Sequence, residues 1–477
     1  MTADRRREAA LALHRFGFGP APDSIAAISA DPRGATLADL ERQGAGQVAA
    51  ANLLPSAATA RALFDFRAER QAQEKLAQRA KKAADADGTA PTMSDVEGAA
   101  VPPLPKPENK QPPLPQQLLE HEASVRLAAA VHAEVGFVER LVWFWSNHFC
   151  VSAEKVNAAA GPYEREAIRP HVLGRFAGML EAVESHPAML FYLDNVESMG
   201  PDSIAGITRD KGLNENLARE ILELHTLGVR GGYSQADVTS FAKVLTGWTW
   251  ISPAEPEHGG DFVFIKRLHE PGDQVVLGKR YSAGGAEQGR EVLGELARHP
   301  ATARHIAQKL ACHFVADDPP PALVTKLAKT FTDTDGDLKE LGKTLLNAEE
   351  SWTPQRTKLK RPADWIVGIL RATGAQNSIS IGRLLNAQAL LGEPLWRPPA
   401  PNGYADVEAA WIDGVPRRLD IANEFAGRLA AATDPRVLLE SSLGPLASAD
   451  TRGTIARAES RNQALALLVM TPEFLRR

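Results

Sequence analysis

Residues 214–247, NENLAREILELHTLGVRGGYSQADVTSFAKVLTG, place Asn216, Glu220 and Glu223 at positions i, i+4 and i+7. At 100° per residue the three share one stripe of a helix. Two carboxylates and an amide on one stripe are what a helix offers to a divalent metal or to a proton-transfer site. Arg219 stands four residues after Glu215 and four before Glu223, so the stripe also reads as a solvated salt-bridge face. Leu217, Ile221 and Leu224 share a different side with Ala218 and His225, which predicts the buried face.

Three further segments put polar groups in apolar surroundings. Residues 137–151, FVERLVWFWSNHFCV, are apolar nearly all round and predict a buried helix that ends on Asn147 and His148. Those two side chains must find partners, because an unsatisfied buried polar group costs about 1–3 kcal/mol. One such histidine reads as a hydrogen-bonded core residue; with carboxylates nearby it belongs to the ligand set that suits zinc, iron or manganese. In residues 186–195, HPAMLFYLDN, Pro187 fits a first helical turn, and Asp194 either ends that helix or supplies a ligand. His269-Glu270 follows a strand-like stretch and reads as a solvated loop pair or as a further ligand.

The elements that would position these groups are mostly helices. Ala-, Leu-, Glu- and Arg-rich stretches alternate with Pro and Gly, and alternating strand patterns are few. Residues 262–265 and 275–277 are the best strands, with a short hairpin there. Asn214 predicts an N-cap, Gly228 a left-handed helix end, and Ser234 with Asp237 a capping box opening the next helix. Residues 56–84 read as a helix whose second half, 67–82, is polar all round, as expected of a helix in solvent or covering another chain. It runs into a Pro-rich stretch with few large apolar residues, which predicts a disordered insertion. The expected organisation is an N-terminal helical region at 1–84, the insertion at 85–117, a main helical body at 118–393 carrying the site, and a C-terminal helical region at 394–477. The fold class is mainly α: a multi-helix, bundle-like globular body with at most a short β-hairpin.

Composition narrows the function classes. The 477 residues carry a formal net charge of −5, which leaves no broad basic footprint for nucleic acid. No apolar run reaches the roughly 18–20 residues needed to span a bilayer. Arg5-Arg6-Arg7 opens like a twin-arginine signal, but Glu8, His14 and Arg15 interrupt the apolar stretch that must follow. The expected location is therefore cytoplasmic, with co-export to the periplasm on a partner as the alternative. Two distant cysteines, Cys150 and Cys312, make no disulfide scaffold and no zinc spacing. GxSxG and HExxH are absent. GDLKELGKT (336–344) is one residue too long for a P-loop, and Asp335 or Asp337 reads as a cap for the helix beginning at Leu338.

Taken together, WFWSNHF, HPAMLFYLDN, NENLAREILELHTLGVRGGYSQADV followed by LTGW, and the His269-Glu270 step closely resemble the bacterial family known as domain of unknown function 1800. The likeness runs from HRFGFGP (14–20) through PATARHIAQKLACHFV (300–315) to TPEFLRR (471–477). It implies a mainly helical protein, often encoded beside exported sulfatase-like proteins, and many relatives look exported. Asn147, His148, Asp194, Asn214, Glu215, Asn216, Arg219, Glu220 and Glu223 match the family pattern. His269 matches a His-Asp step in which Glu270 replaces the Asp, and His225 stands where Phe is common.

These readings combine into one expectation. His148, Glu220, Glu223, His269 and Asp194 would bind one or two divalent cations such as zinc, iron or manganese. Glu220, Glu223, Arg219 and Asn216 would carry the chemistry, hydrolytic or oxidative. The rival expectation is a non-enzymatic accessory or chaperone-like partner of a sulfatase-like neighbouring gene product.

Overall fold

The computed structural model describes residues 3–48, 52–86, 111–209, 212–429 and 433–477. Helices dominate: α1 (Ala3–Arg15), α2 (Ser56–Ala86), α3 (Leu114–His132), α4 (Phe137–His148), α5 (Phe176–Glu184), α6 (Pro187–Tyr192), α7 (Asn216–Glu220), α8 (Gln235–Leu245), α9 (Pro300–Phe314), α10 (Leu338–Asn347) and α11 (Pro362–Thr373) are those used below. The expected insertion begins later and ends earlier than its composition suggested. α2 continues to Ala86 and α3 already starts at Leu114, with Pro115 in its first turn, where a missing N–H costs nothing. Residues 87–110 of that insertion lie outside the described residues.

Both expected strands form, but they do not pair with each other. β1 (Trp248–Trp250) pairs antiparallel with β2 (Phe262–Phe264), and β3 (Gln274–Val276) pairs with β4 (Lys279–Tyr281). Trp248 stands opposite Phe264 and Trp250 opposite Phe262, and the Trp248 and Phe262 rings meet edge-on across the ribbon at 5.5 Å between centroids.

One hydrophobic cluster runs from Leu11 to Leu475, so both ends of the described chain share a core. α4 lies in its middle, with ten of its twelve residues buried. Gly136 enters it in the left-handed region (φ 91°), and Asp39 Oδ2 accepts the Val138 N–H at 3.1 Å, supplying the cap that glycine lacks. Beneath α4 lies a buried ion network. Glu164 accepts from Arg126 (2.8 Å), Ser146 (2.8 Å) and Trp396 (3.2 Å), while Arg169 bridges Glu164 and Glu139. Every charge there has a partner, the condition under which such a network tolerates burial. Asp337 caps α10 as expected, accepting from the Lys339 and Glu340 N–H groups.

Candidate functional site

Asn147 and His148 close α4 by tying it to two other segments. Asn147 Nδ2 donates to the Tyr404 carbonyl (2.9 Å) and its Oδ1 accepts the Tyr404 N–H (2.8 Å), pinning the loop at 394–403 over the helix end. His148 is buried, and its Nε2 lies 3.1 Å from the His225 carbonyl oxygen. Burial holds its pKa well below the usual range, so it is neutral, and with the proton on Nε2 it donates to that carbonyl. Its Nδ1 then has a lone pair with no partner.

The NENLAREILELH string is not a regular α-helix. Asn214 Oδ1 accepts the Asn216 N–H, α7 runs for five residues, and the chain then widens into a π-helical turn, Ile221–His225. π turns concentrate at functional sites. This one breaks the i, i+4, i+7 stripe after Glu220. Asn216 is exposed, Glu220 is part-buried, and Glu223 meets the Tyr233 hydroxyl at 3.4 Å. Arg219 pairs with Glu215 (2.8 Å) and Gln235 (3.0 Å) and forms no ion pair with Glu223. The turn ends with free carbonyls, which two imidazoles take up: His148 at His225, and His305 Nε2 at Leu224 (3.1 Å). Gly228 follows at φ 85°, and a Cβ there would stand 3.0 Å from His305 Nδ1, so both backbone and packing demand glycine.

His225 turns inward. Its Nδ1 lies 2.7 Å from Glu184 Oε1, in a carboxylate–imidazole pair shielded from solvent, and the second Glu184 oxygen has no partner.

α9 completes the site. His305 and Lys309 stand one turn apart at the margin of its buried face, part-exposed beside Ile306 and Leu310. Burial lowers the Lys309 ammonium to about 8, and His305 to about 4. Burial likewise raises the Glu220 carboxyl and the Tyr192 phenol, and it pushes the Cys150 thiol up to about 12. Cys150, just past the end of α4, feels the charges of both Lys309 and Glu220, and Tyr192 feels those of Glu220 and Cys150. Among the described residues, Glu220, Lys309 and the Tyr192 hydroxyl make no hydrogen bond or ion pair. Behind Cys150 a cavity of about 40 Å3, lined in part by Asn147, Ser146 and Tyr404, has room for a few waters.

The remaining expected residues lie elsewhere or are engaged. Asp194, in the left-handed region at φ 60°, pairs with Lys155 at 2.6 Å. His269 Nδ1 meets the Thr246 carbonyl at 2.9 Å, and Glu270 pairs with Lys243 (2.9 Å) and caps the Asp202 N–H. Among the described residues no three His, Cys, Asp or Glu side chains are grouped to hold a metal ion. The donor set expected from the sequence is not grouped in this way. Lys309, His305, Tyr192, Cys150 and the Glu184–His225 pair were not singled out from the sequence. Lys309 and His305 had a readable signal: a cation and an imidazole at i and i+4, bordering an apolar stripe.

No curated protein and no solved structure matches the chain. Residues 11–476 match the family described as "Protein of unknown function (DUF1800)". With nearly its whole length covered, the chain belongs to the DUF1800 family.

Proposed function

We propose that this protein is an enzyme that moves protons on a small substrate at the end of α4, with Lys309 and Glu220 as its base and acid. The observation that carries the reading is the pair itself. Two part-buried, oppositely ionising groups both act electrostatically on Cys150, and neither has a hydrogen-bond or ion-pair partner among the described residues. Structural ion pairs satisfy each other; groups left unengaged with pKa values displaced towards neutrality suit acid–base work. With a pKa of about 8, about a tenth of Lys309 is neutral at pH 7 and able to take a proton. Glu220, raised by burial, is the group that can return one, and the Tyr192 hydroxyl is placed to hydrogen-bond the substrate. His148 and His305 hold the π turn that carries Glu220, and so position the acid without touching substrate.

The test is turnover of a bacterial metabolite extract, followed by mass spectrometry, with parent protein, Lys309→Met and Glu220→Gln. The parent depletes a defined metabolite, and each variant loses about 10²–10⁴-fold in rate while remaining folded. Depletion that survives in both folded variants removes the proposal. A second reading, a docking partner for an exported protein, is favoured by the exposed side chains of α2 from 67 to 79. Recovery of a stoichiometric partner that is lost when this stretch is recoded would support it.

A further inference from the structure

A second cavity, of about 200 Å3, opens between the first turns of α2, the segment 155–159, α6 and β1. Its wall is aromatic: Phe191 and Trp250 pack at 5.3 Å between ring centroids, and Phe64 lies 42% exposed beside them. An aromatic side chain this exposed at the mouth of an apolar cavity loses burial energy that a ligand ring would restore. For scale, a dry apolar cavity of about 150 Å3 holds benzene.

The charged groups lining this cavity are all of one sign. Its lining includes Arg67 and Lys155 and no carboxylate. Lys155 is already neutralised by Asp194 and also donates to the Tyr192 carbonyl (2.7 Å). Arg67 has no partner among the described residues, and is the free cation of the rim. Asn157 contributes backbone at φ 54° and ψ −135°, a strained conformation for a residue with a side chain, of the kind that clusters at ligand clamps. A cationic ligand would meet like charge, and a purely apolar one would leave Arg67 unused.

We infer that this cavity binds a small aromatic carboxylate, its ring between Phe64, Phe191 and Trp250 and its carboxylate on Arg67. The inference does not depend on the acid–base site, since none of its lining residues is assigned a role there. It does place the ligand one residue along α6 from Tyr192, whose carbonyl accepts from Lys155 of the cavity wall.

Binding of 3-phenylpropanoate to the full chain is measured by calorimetry and saturation-transfer NMR, with hexanoate and phenethylamine as comparisons. Saturable binding of 3-phenylpropanoate is expected at millimolar concentration or below, with none for phenethylamine. Arg67→Glu and Phe64→Ala, both surface changes checked for native circular dichroism, should each weaken it about fivefold or more. Hexanoate, which has the charge without the ring, should bind about fivefold more weakly. Absence of saturable binding overturns the inference. So does equal binding of phenethylamine or hexanoate, or unchanged binding in both folded variants.

Discussion

The ionisation of Lys309 couples the stability of the fold to pH. Its ordinary pKa near 10.5 falls to about 8 in the fold. Below pH 8 both folded and unfolded chains hold the proton, and the folded state bears the cost of a desolvated ammonium. Between about 8 and 10.5 the unfolded chain binds more protons than the folded one, so stability rises with pH and the cost disappears. Lys309→Met should therefore stabilise the protein at pH 7, by roughly 1–3 kcal/mol, and stabilise it less at pH 10. Chemical denaturation at the two pH values checks this; a destabilised variant at pH 7 would mean the amine holds the fold together rather than serving a site. The Cys150 thiol, pushed up to about 12 by burial, stays protonated and is no nucleophile at neutral pH.

Among the elements, the end of α4 and the π turn act as one unit, joined by Asn147 and His148. Asn147→Ala removes both hydrogen bonds to Tyr404 and leaves its N–H and carbonyl to find water, at a cost of about 1–3 kcal/mol. Hydrogen exchange at 400–406 should quicken more than elsewhere, and uniform quickening would show instead that the whole fold had loosened. Much at this level was legible beforehand. The buried α4, the Ser234–Asp237 capping box and the Asp337 cap all follow from interactions within a few residues, whereas the helical segment expected to end at Gly228 already ends at His225. The widening at Ile221–His225 was not legible, because it trades local hydrogen-bond geometry for long-range partners. Without Glu184, His148 and His305 in place, nothing near 221–225 in the sequence favours the i→i+5 hydrogen bonds of a π turn. The pairing of β1 with β2 was hidden for a similar reason, since Trp248–Trp250 is three residues long and shows its strand character only opposite Phe262–Phe264.

Charged side chains tie distant parts of the molecule into one body. Arg15 donates to the Ser351, Thr353 and Gln355 carbonyls, Arg371 of α11 to those of Gly19, Ala130, Val131 and Ala133, and Arg477 to Asp364 and Asp406. Five histidines, His14, His148, His171, His305 and His313, are held below their usual range, chiefly by burial, His305 at about 4. As pH falls below 6.5 the unfolded chain takes up protons on these residues while the folded one does not, so stability is lost towards pH 4. Melting temperature should drop steadily from pH 7 to pH 4.5 with net proton uptake on unfolding; a flat profile would show that these imidazoles are solvated. Among the described residues no helix is long and apolar enough to cross a membrane.

What could be read directly along the chain was whatever depends on neighbours within a turn or two: the helices, their caps, the buried stretch 137–148, and the family pattern around Asn147, His148 and Glu220. Which polar groups remain unengaged could not be read that way, because engagement depends on partners tens to hundreds of residues away. Arg219, Glu223, Asp194 and His269 looked as chemical as Glu220, yet each found a partner: Glu215, Tyr233, Lys155 and the Thr246 carbonyl. Tertiary packing left Glu220 without a partner among the described residues and set both it and Lys309 to act on Cys150. The energy of a buried charge is set by what surrounds it in space, and that is a property of the tertiary structure.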